Sequence, residues 1–131
     1  MHTIDVKFGF RLCVLTLIAS CTGCDKGPAP LTPTSGSSAG NVVRGQSLLA
    51  QYQCGACHVI PNIPVARGIA GPPLNNFGQR SYIAGHIPNN SEMLTQWIID
   101  PRSLAPTTTM PSMGVSTKDA RDIAAYLHTL R

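Results

Sequence analysis

Four regimes of hydrophobic patterning divide the chain. The opening, MHTIDVKFGFRLCVLTLIASC, pairs two cations, Lys7 and Arg11, with an apolar run from Leu12 to Ala19. From Asp25 to Gly40 apolar residues almost vanish; in DKGPAPLTPTSGSSAG only Leu31 is apolar and larger than alanine, proline apart. From Val42 to Gln53 they return at helical spacing, with Leu48 and Leu49 four and three residues before Tyr52 and Val42 two turns before Leu49. Near the other end Ala120, Ile123, Ala124, Leu127 and Leu130 make one stripe, and Ser116 with Asp119 three residues on is a capping-box-like start. A third, short helix is predicted from Glu92 to Asp100, capped by Asn90 or Ser91 and stopped by Pro101. Between these helices Pro61, Pro64, Pro72, Pro73, Pro88, Pro101, Pro106 and Pro111 break the chain into turns, and no stretch alternates as a strand. The expectation is an all-α domain of short helices and long loops.

These regimes set the domain organisation: an export signal over 1–20, a flexible linker over 21–41 and a folded domain over 42–131. Even with Phe8–Phe10 added, the first apolar run is about 12 residues, short of the ~20 that span a bilayer as a helix. Ile18-Ala19-Ser20-Cys21 resembles the lipobox of bacterial lipoproteins, whose cysteine becomes an acylated N-terminus, so Cys21 is the expected lipidation site and Cys24 the second candidate. The Pro-, Gly-, Ser- and Thr-rich segment after it buries too little to fold. At about 5–6 Å × √n it gives a tethered domain roughly 20–25 Å of mean reach. The expected location is the extracytoplasmic (periplasmic) side of a membrane, held at the lipid surface.

Composition makes the folded region look short of core. It has roughly 90 residues, near the lower end for a self-sufficient domain, and its aromatics are Tyr52, Phe77, Tyr82, Trp97 and Tyr126. Domains this small need a staple, a metal or a large cofactor. Of five cysteines, Cys13, Cys21 and Cys24 fall in or beside the export segment, which leaves Cys54 and Cys57 to the domain. The net charge is +4, with no run of five or more like charges, so nucleic-acid binding has little support and the charge permits no more than a weak bias toward acidic partners.

Cys54-Gly55-Ala56-Cys57-His58 supplies the chemistry. Thiols at i and i+3 lie on one side of a helical turn, where both can add to the vinyl groups of a haem, and the next residue offers an imidazole to the iron. In an exported protein C-x-x-C-H indicates covalent attachment of a c-type haem. A thioredoxin-like pair would want a βαβ frame, and zinc held by Cys54, Cys57, His58 and His86 has no usual ligand spacing.

With CGACH, the segment GPPLNNFGQR (71–80), the helix EMLTQWIIDP (92–101), PTTTMP (106–111) and DIAAYLHTL (122–130), the chain resembles the class I cytochromes c over residues 42–131. It is most similar to the small bacterial domains fused to, or working beside, subunit II of haem–copper oxidases. The resemblance implies the class I cytochrome c fold around one covalent haem c, with His58 and Met110 as axial ligands. It further implies that the Pro72 carbonyl accepts from the His58 Nδ1 and that Leu74 packs on the haem. Arg80, and Thr108 with it, would serve an inner propionate, and Trp97 would face the haem. Gly45 and Tyr126 match the crossing of the first and last helices. Met110, nine residues after Pro101, has the family's spacing; Met113 is read as packing near the haem edge, Met93 as core, and His128 as solvated.

The implied activity is single-electron transfer within a respiratory chain near a terminal oxidase, between membrane redox complexes as donor and acceptor, with no catalytic residue. A sensor or peroxidase-like protein would require Met110 to be off the iron; an electron-entry module of a larger dehydrogenase would differ in partner alone.

Overall fold

A computed structural model of the protein describes residues 39–131. The expected export segment, the lipidation site Cys21 and most of the linker lie outside the described residues. The domain begins one residue inside the expected linker, because Asn41 is a cap: its side chain accepts from the Arg44 N–H at 2.9 Å and opens helix α1, Val42–Gln51. Helix α2, Ser91–Ile99, takes Asn90 rather than Ser91 as its cap, through a 2.9 Å bond from the Met93 N–H. Pro101 ends α2 by opening a separate four-residue helix, α3, Pro101–Leu104, at the position where its missing N–H is harmless. Helix α4, Thr117–Leu127, starts on Ser116, whose hydroxyl accepts from the Asp119 N–H at 3.2 Å.

The stripe predicted for α4 is the centre of the core. Ala120, Ile123, Ala124, Leu127 and Leu130 are buried, together with Leu48 and Leu49 of α1 and Leu94, Trp97 and Ile98 of α2. Helix α4 packs against both α1 and α2. Close approach to α1 is possible because Gly45 carries no Cβ; one would collide with the Asp122 carbonyl and stand 3.1 Å from the Ile123 nitrogen. Tyr126, matched by resemblance to that crossing, is buried and sends its hydroxyl to the Pro61 carbonyl at 2.9 Å.

Beside the crossing, Arg44 pairs with both Asp119 and Asp122. The Asn41 N–H donates to Asp122 at 2.7 Å, and the Tyr52 hydroxyl donates to Asp119 at 2.7 Å. Burial works to raise the Asp122 carboxyl, but the Asn41 N–H, Arg44 and Lys118 overcome it and hold the group below its ordinary range. Asp119 is lowered as well, by Tyr52 first and Arg44 second.

One small sheet interrupts the helical plan. Strands β1, Tyr82–Ile83, and β2, Ile87–Pro88, pair antiparallel in the register Tyr82↔Pro88 and Ile83↔Ile87. Two-residue strands are too short to show a period of two, which is why the alternation is absent from the sequence.

Candidate functional site

The Cys54–His58 turn follows α1 by way of Gln53, whose left-handed φ of 55° redirects the chain into a single 3₁₀ turn, Cys54–Ala56. The Cys57 and His58 N–H groups both return to the Cys54 carbonyl, at 3.2 and 3.1 Å. Both cysteines are unpaired and half-buried, and burial raises the Cys54 thiol above its ordinary value.

The loop 71–74 is stitched to this turn: the Gly71 N–H donates to the Cys57 carbonyl and the Leu74 N–H to the Val59 carbonyl, both at 2.8 Å. The stitching carries the Pro72 carbonyl to 2.7 Å from the His58 Nδ1. A carbonyl only accepts, so Nδ1 bears the proton and Nε2 keeps its lone pair. Gly71 is required there because a Cβ would stand 2.7 Å from Nδ1.

The turn opens onto a cavity of about 500 Å³ with a largely apolar lining. Cys54, Cys57, His58, Pro72, Leu74, Arg80, Trp97, Thr108 and Met110, the nine residues nominated from the sequence, all line it. Trp97 and Leu74 are buried. Arg80 donates from Nη2 to the Pro73 and Asn75 carbonyls, at 2.6 and 3.0 Å, and its guanidinium carbon stands 5.5 Å from the Phe77 ring centroid. The Thr108 hydroxyl oxygen accepts from the Met110 N–H at 3.3 Å, so it steadies the backbone of Met110.

Both Met110 and Met113 line the cavity; Met110 is half-buried, whereas Met113 is 43% exposed. Between them the Ser112 hydroxyl donates to the Ile99 carbonyl at 3.0 Å and moors the loop to the end of α2. Met93 packs against the core and does not line the cavity. His86 is exposed on the hairpin turn, with Nδ1 at 3.0 Å from the Ala84 carbonyl, and stays outside the lining.

His128 departs from its solvated reading. It is half-buried at the end of α4, with Nε2 at 3.1 Å from Asn89 Oδ1, and burial lowers its pKa. Asn89 also donates to the Phe77 and Arg80 carbonyls, at 3.0 and 2.9 Å, a long-range arrangement that helix periodicity does not reveal.

Several lining residues went unnominated. Leu49, Ile123 and Leu127 belong to helical stripes already visible in the sequence and needed only the inference that the stripe faces a cofactor. Ile83 and Ala84 come from the hairpin, for which the pattern carries no signal.

The donor set fits a c-type haem: two free thiols on one turn, an imidazole with Nε2 uncommitted, an apolar cavity and a thioether side chain in its wall. Among the described residues no three His, Cys, Asp or Glu side chains form a metal-holding group.

Comparison with known proteins gives a concordant result. The family model described as Cytochrome c matches residues 42–131. Cytochrome c oxidase subunit 2 of Alkalihalophilus pseudofirmus is 37% identical over 89 residues, 67% of this chain and 25% of that protein. The subunit of the same name from Bacillus subtilis is 31% identical over 85 residues, 63% of this chain and 24% of that protein. Cytochrome c-552 of Bradyrhizobium diazoefficiens is 32% identical over 83 residues, 63% of this chain and 69% of that protein. The chain thus spans about a quarter of the length of the oxidase subunits it matches.

Proposed function

The chain belongs to the cytochrome c family, and from that premise we propose that it is a one-haem electron carrier with His58 and Met110 as axial ligands. Family membership brings haem-based electron transfer and a covalently bound c-type haem. The observation that carries the finer reading is the turn itself: Cys54 and Cys57 are free thiols at the cavity, and Pro72 holds the His58 Nδ1 so that Nε2 remains a ligand.

When bound, the haem supplies an iron that exchanges one electron. The chain's residues provide the rest. Cys54 and Cys57 would tether the macrocycle through thioethers. The Pro72 carbonyl orients the imidazole and raises its basicity. The cavity's apolar lining keeps water away, and a soft methionine sulfur with histidine favours a high potential. Arg80 keeps Nε and Nη1 free of bonds to protein among the described residues, which suits it to a propionate. With His58 and Met110 both holding the iron, no position would be left for substrate, and the protein would carry electrons without being itself an enzyme.

The similarity to subunit 2 of cytochrome c oxidases supports a place near a terminal oxidase, with membrane redox complexes as donor and acceptor. An acylated Cys21 and the linker after it would hold the domain at the extracytoplasmic membrane surface. Among the described residues no helix is long and apolar enough to cross a membrane.

The ligand assignment is tested by two variants of the holoprotein. Met110→Ala should abolish the weak far-red band of sulfur–ferric iron ligation, lower the potential and let imidazole bind. Met113→Ala should retain the band. The reverse pattern moves the ligand to Met113; a band indifferent to both removes methionine ligation.

A further inference from the structure

The turn that brings Arg80 to the cavity is a single 3₁₀ turn, Phe77–Gln79, entered through Asn76 at a left-handed φ of 54°. Phe77 and Arg80 both line the cavity, and the guanidinium stands over the ring. A turn this short closes few bonds of its own, and 3₁₀ bonds have poor geometry. Its rigidity has to come from elsewhere.

Two elements supply it. The Gly78 N–H donates to the Leu130 carbonyl at 2.9 Å, and a Cβ on Gly78 would collide with the His128 carbonyl, so the turn lies flush on the end of α4. Asn89, directly after β2, is the second hold. Its N–H donates to the Ser81 carbonyl at 3.0 Å, and its Nδ2 donates to the Phe77 and Arg80 carbonyls at 3.0 and 2.9 Å. One amide side chain thus grips the backbone of both cavity-lining residues.

The orientation of that amide is fixed. Its two N–H donors are both spent on the turn, which leaves Oδ1 facing the His128 ring. An amide oxygen only accepts, so the His128 Nε2, 3.1 Å away, carries a hydrogen and donates. A flipped amide would set Oδ1 against two carbonyls and Nδ2 against an N–H. All of these groups would then lose their partners in a half-buried setting, which is costly. Neither Asn89 nor His128 lines the cavity.

We propose that Asn89, oriented by His128, is the positioning residue for Arg80 and in that way raises the reduction potential. The inference rests on the electron-carrier reading in which Arg80 serves a propionate, and adds the residues that hold the guanidinium there. The ferric state carries one more positive charge than the ferrous state, so a cation held close by penalises it and raises the potential. A slack turn lets the guanidinium withdraw toward water, where its field is screened.

The test is a double-mutant cycle on the holoprotein, read by protein-film voltammetry. Arg80→Gln should lower the potential by about 59 mV, a tenfold change in the equilibrium between oxidation states. Asn89→Ala should lower it about threefold, or about 28 mV. The two together should lie no lower than Arg80→Gln alone, because Asn89 acts through Arg80. His128→Ala removes the orienting donor and leaves Asn89 in place; it should lower the potential about twofold, or about 18 mV, and His128→Gln, which still donates, should restore it. Amide hydrogen exchange of the ferrous Asn89→Ala protein should speed up at least about tenfold at Gly78, Gln79 and Arg80 and stay unchanged in α1.

An Asn89→Ala or His128→Ala variant with the original potential would overturn the inference, since a residue that only braces the fold would change Tm alone. So would shifts that add in the double variant, which would show Asn89 acting apart from Arg80. An unaltered potential in Arg80→Gln overturns it together with the propionate role and leaves the carrier reading intact. Absence of any reversible one-electron couple in the unaltered holoprotein fails the carrier reading itself and takes this inference with it.

Discussion

Gly71→Ala probes the link between backbone packing and the ligand. The added Cβ would stand 2.7 Å from the His58 Nδ1, whereas carbon contacts are comfortable from about 3.5 Å. Cε1 of the ring lies nearer still, so the ring must retreat by about 1.1 Å, or the loop must. A retreat of that size away from the loop takes the bond to the Pro72 carbonyl from 2.7 Å to about 3.8 Å, where it is lost. Two consequences follow. Overpacking should cost about 1–3 kcal/mol of stability, read as a lower Tm of the holoprotein. Loss of the bond makes the imidazole a poorer donor, which penalises the ferric state more than the ferrous one. If about 1 kcal/mol of the bond differs between the two states, the potential rises by about 40 mV, because 59 mV corresponds to a tenfold change for one electron. Protein-film voltammetry and thermal melting measure both. A variant with unchanged potential and unchanged Tm would refute the claim that Gly71 holds the histidine in place through its lack of a side chain.

Covalent attachment predicts that haem stain comigrates with the polypeptide on denaturing gels and survives acid–acetone extraction; Cys54→Ala should cut the yield sharply, since the domain depends on the cofactor for its core. Asp122 has its pKa below the ordinary value, so it contributes stability above the ordinary carboxylate range that is lost as pH falls through its lowered folded value. Asp122→Asn should lower Tm at neutral pH and shrink the loss of Tm on acidification to about pH 3; an unchanged acid profile would detach that loss from this carboxylate. Cys21→Ser should move the protein from a salt-washed membrane pellet to the soluble fraction, and a membrane-retained variant would place the anchor elsewhere.

Local chemistry made much of the site legible in advance. C-x-x-C-H needs only neighbouring residues to put two thiols and an imidazole on one turn, and the Ser116–Asp119 cap and the α4 stripe are likewise written within a few residues of each other. The proline-rich middle excluded long helices for the same local reason. What depends on contacts far apart in sequence was decided by the tertiary structure. Asn41 looks like linker until its N–H meets Asp122, 81 residues away. His128 looks solvated until Asn89, 39 residues away, meets its ring. Strands of two residues leave no periodic trace, yet they deliver Ile83 and Ala84 to the cavity. The sequence determined which atoms could hold the cofactor, because thiol and imidazole chemistry is carried by residue type and short spacing. Only the folded chain decided which apolar side chains close the cavity around them, because a wall assembled from α1, the hairpin, the Met110 loop and α4 exists in no one stretch of sequence.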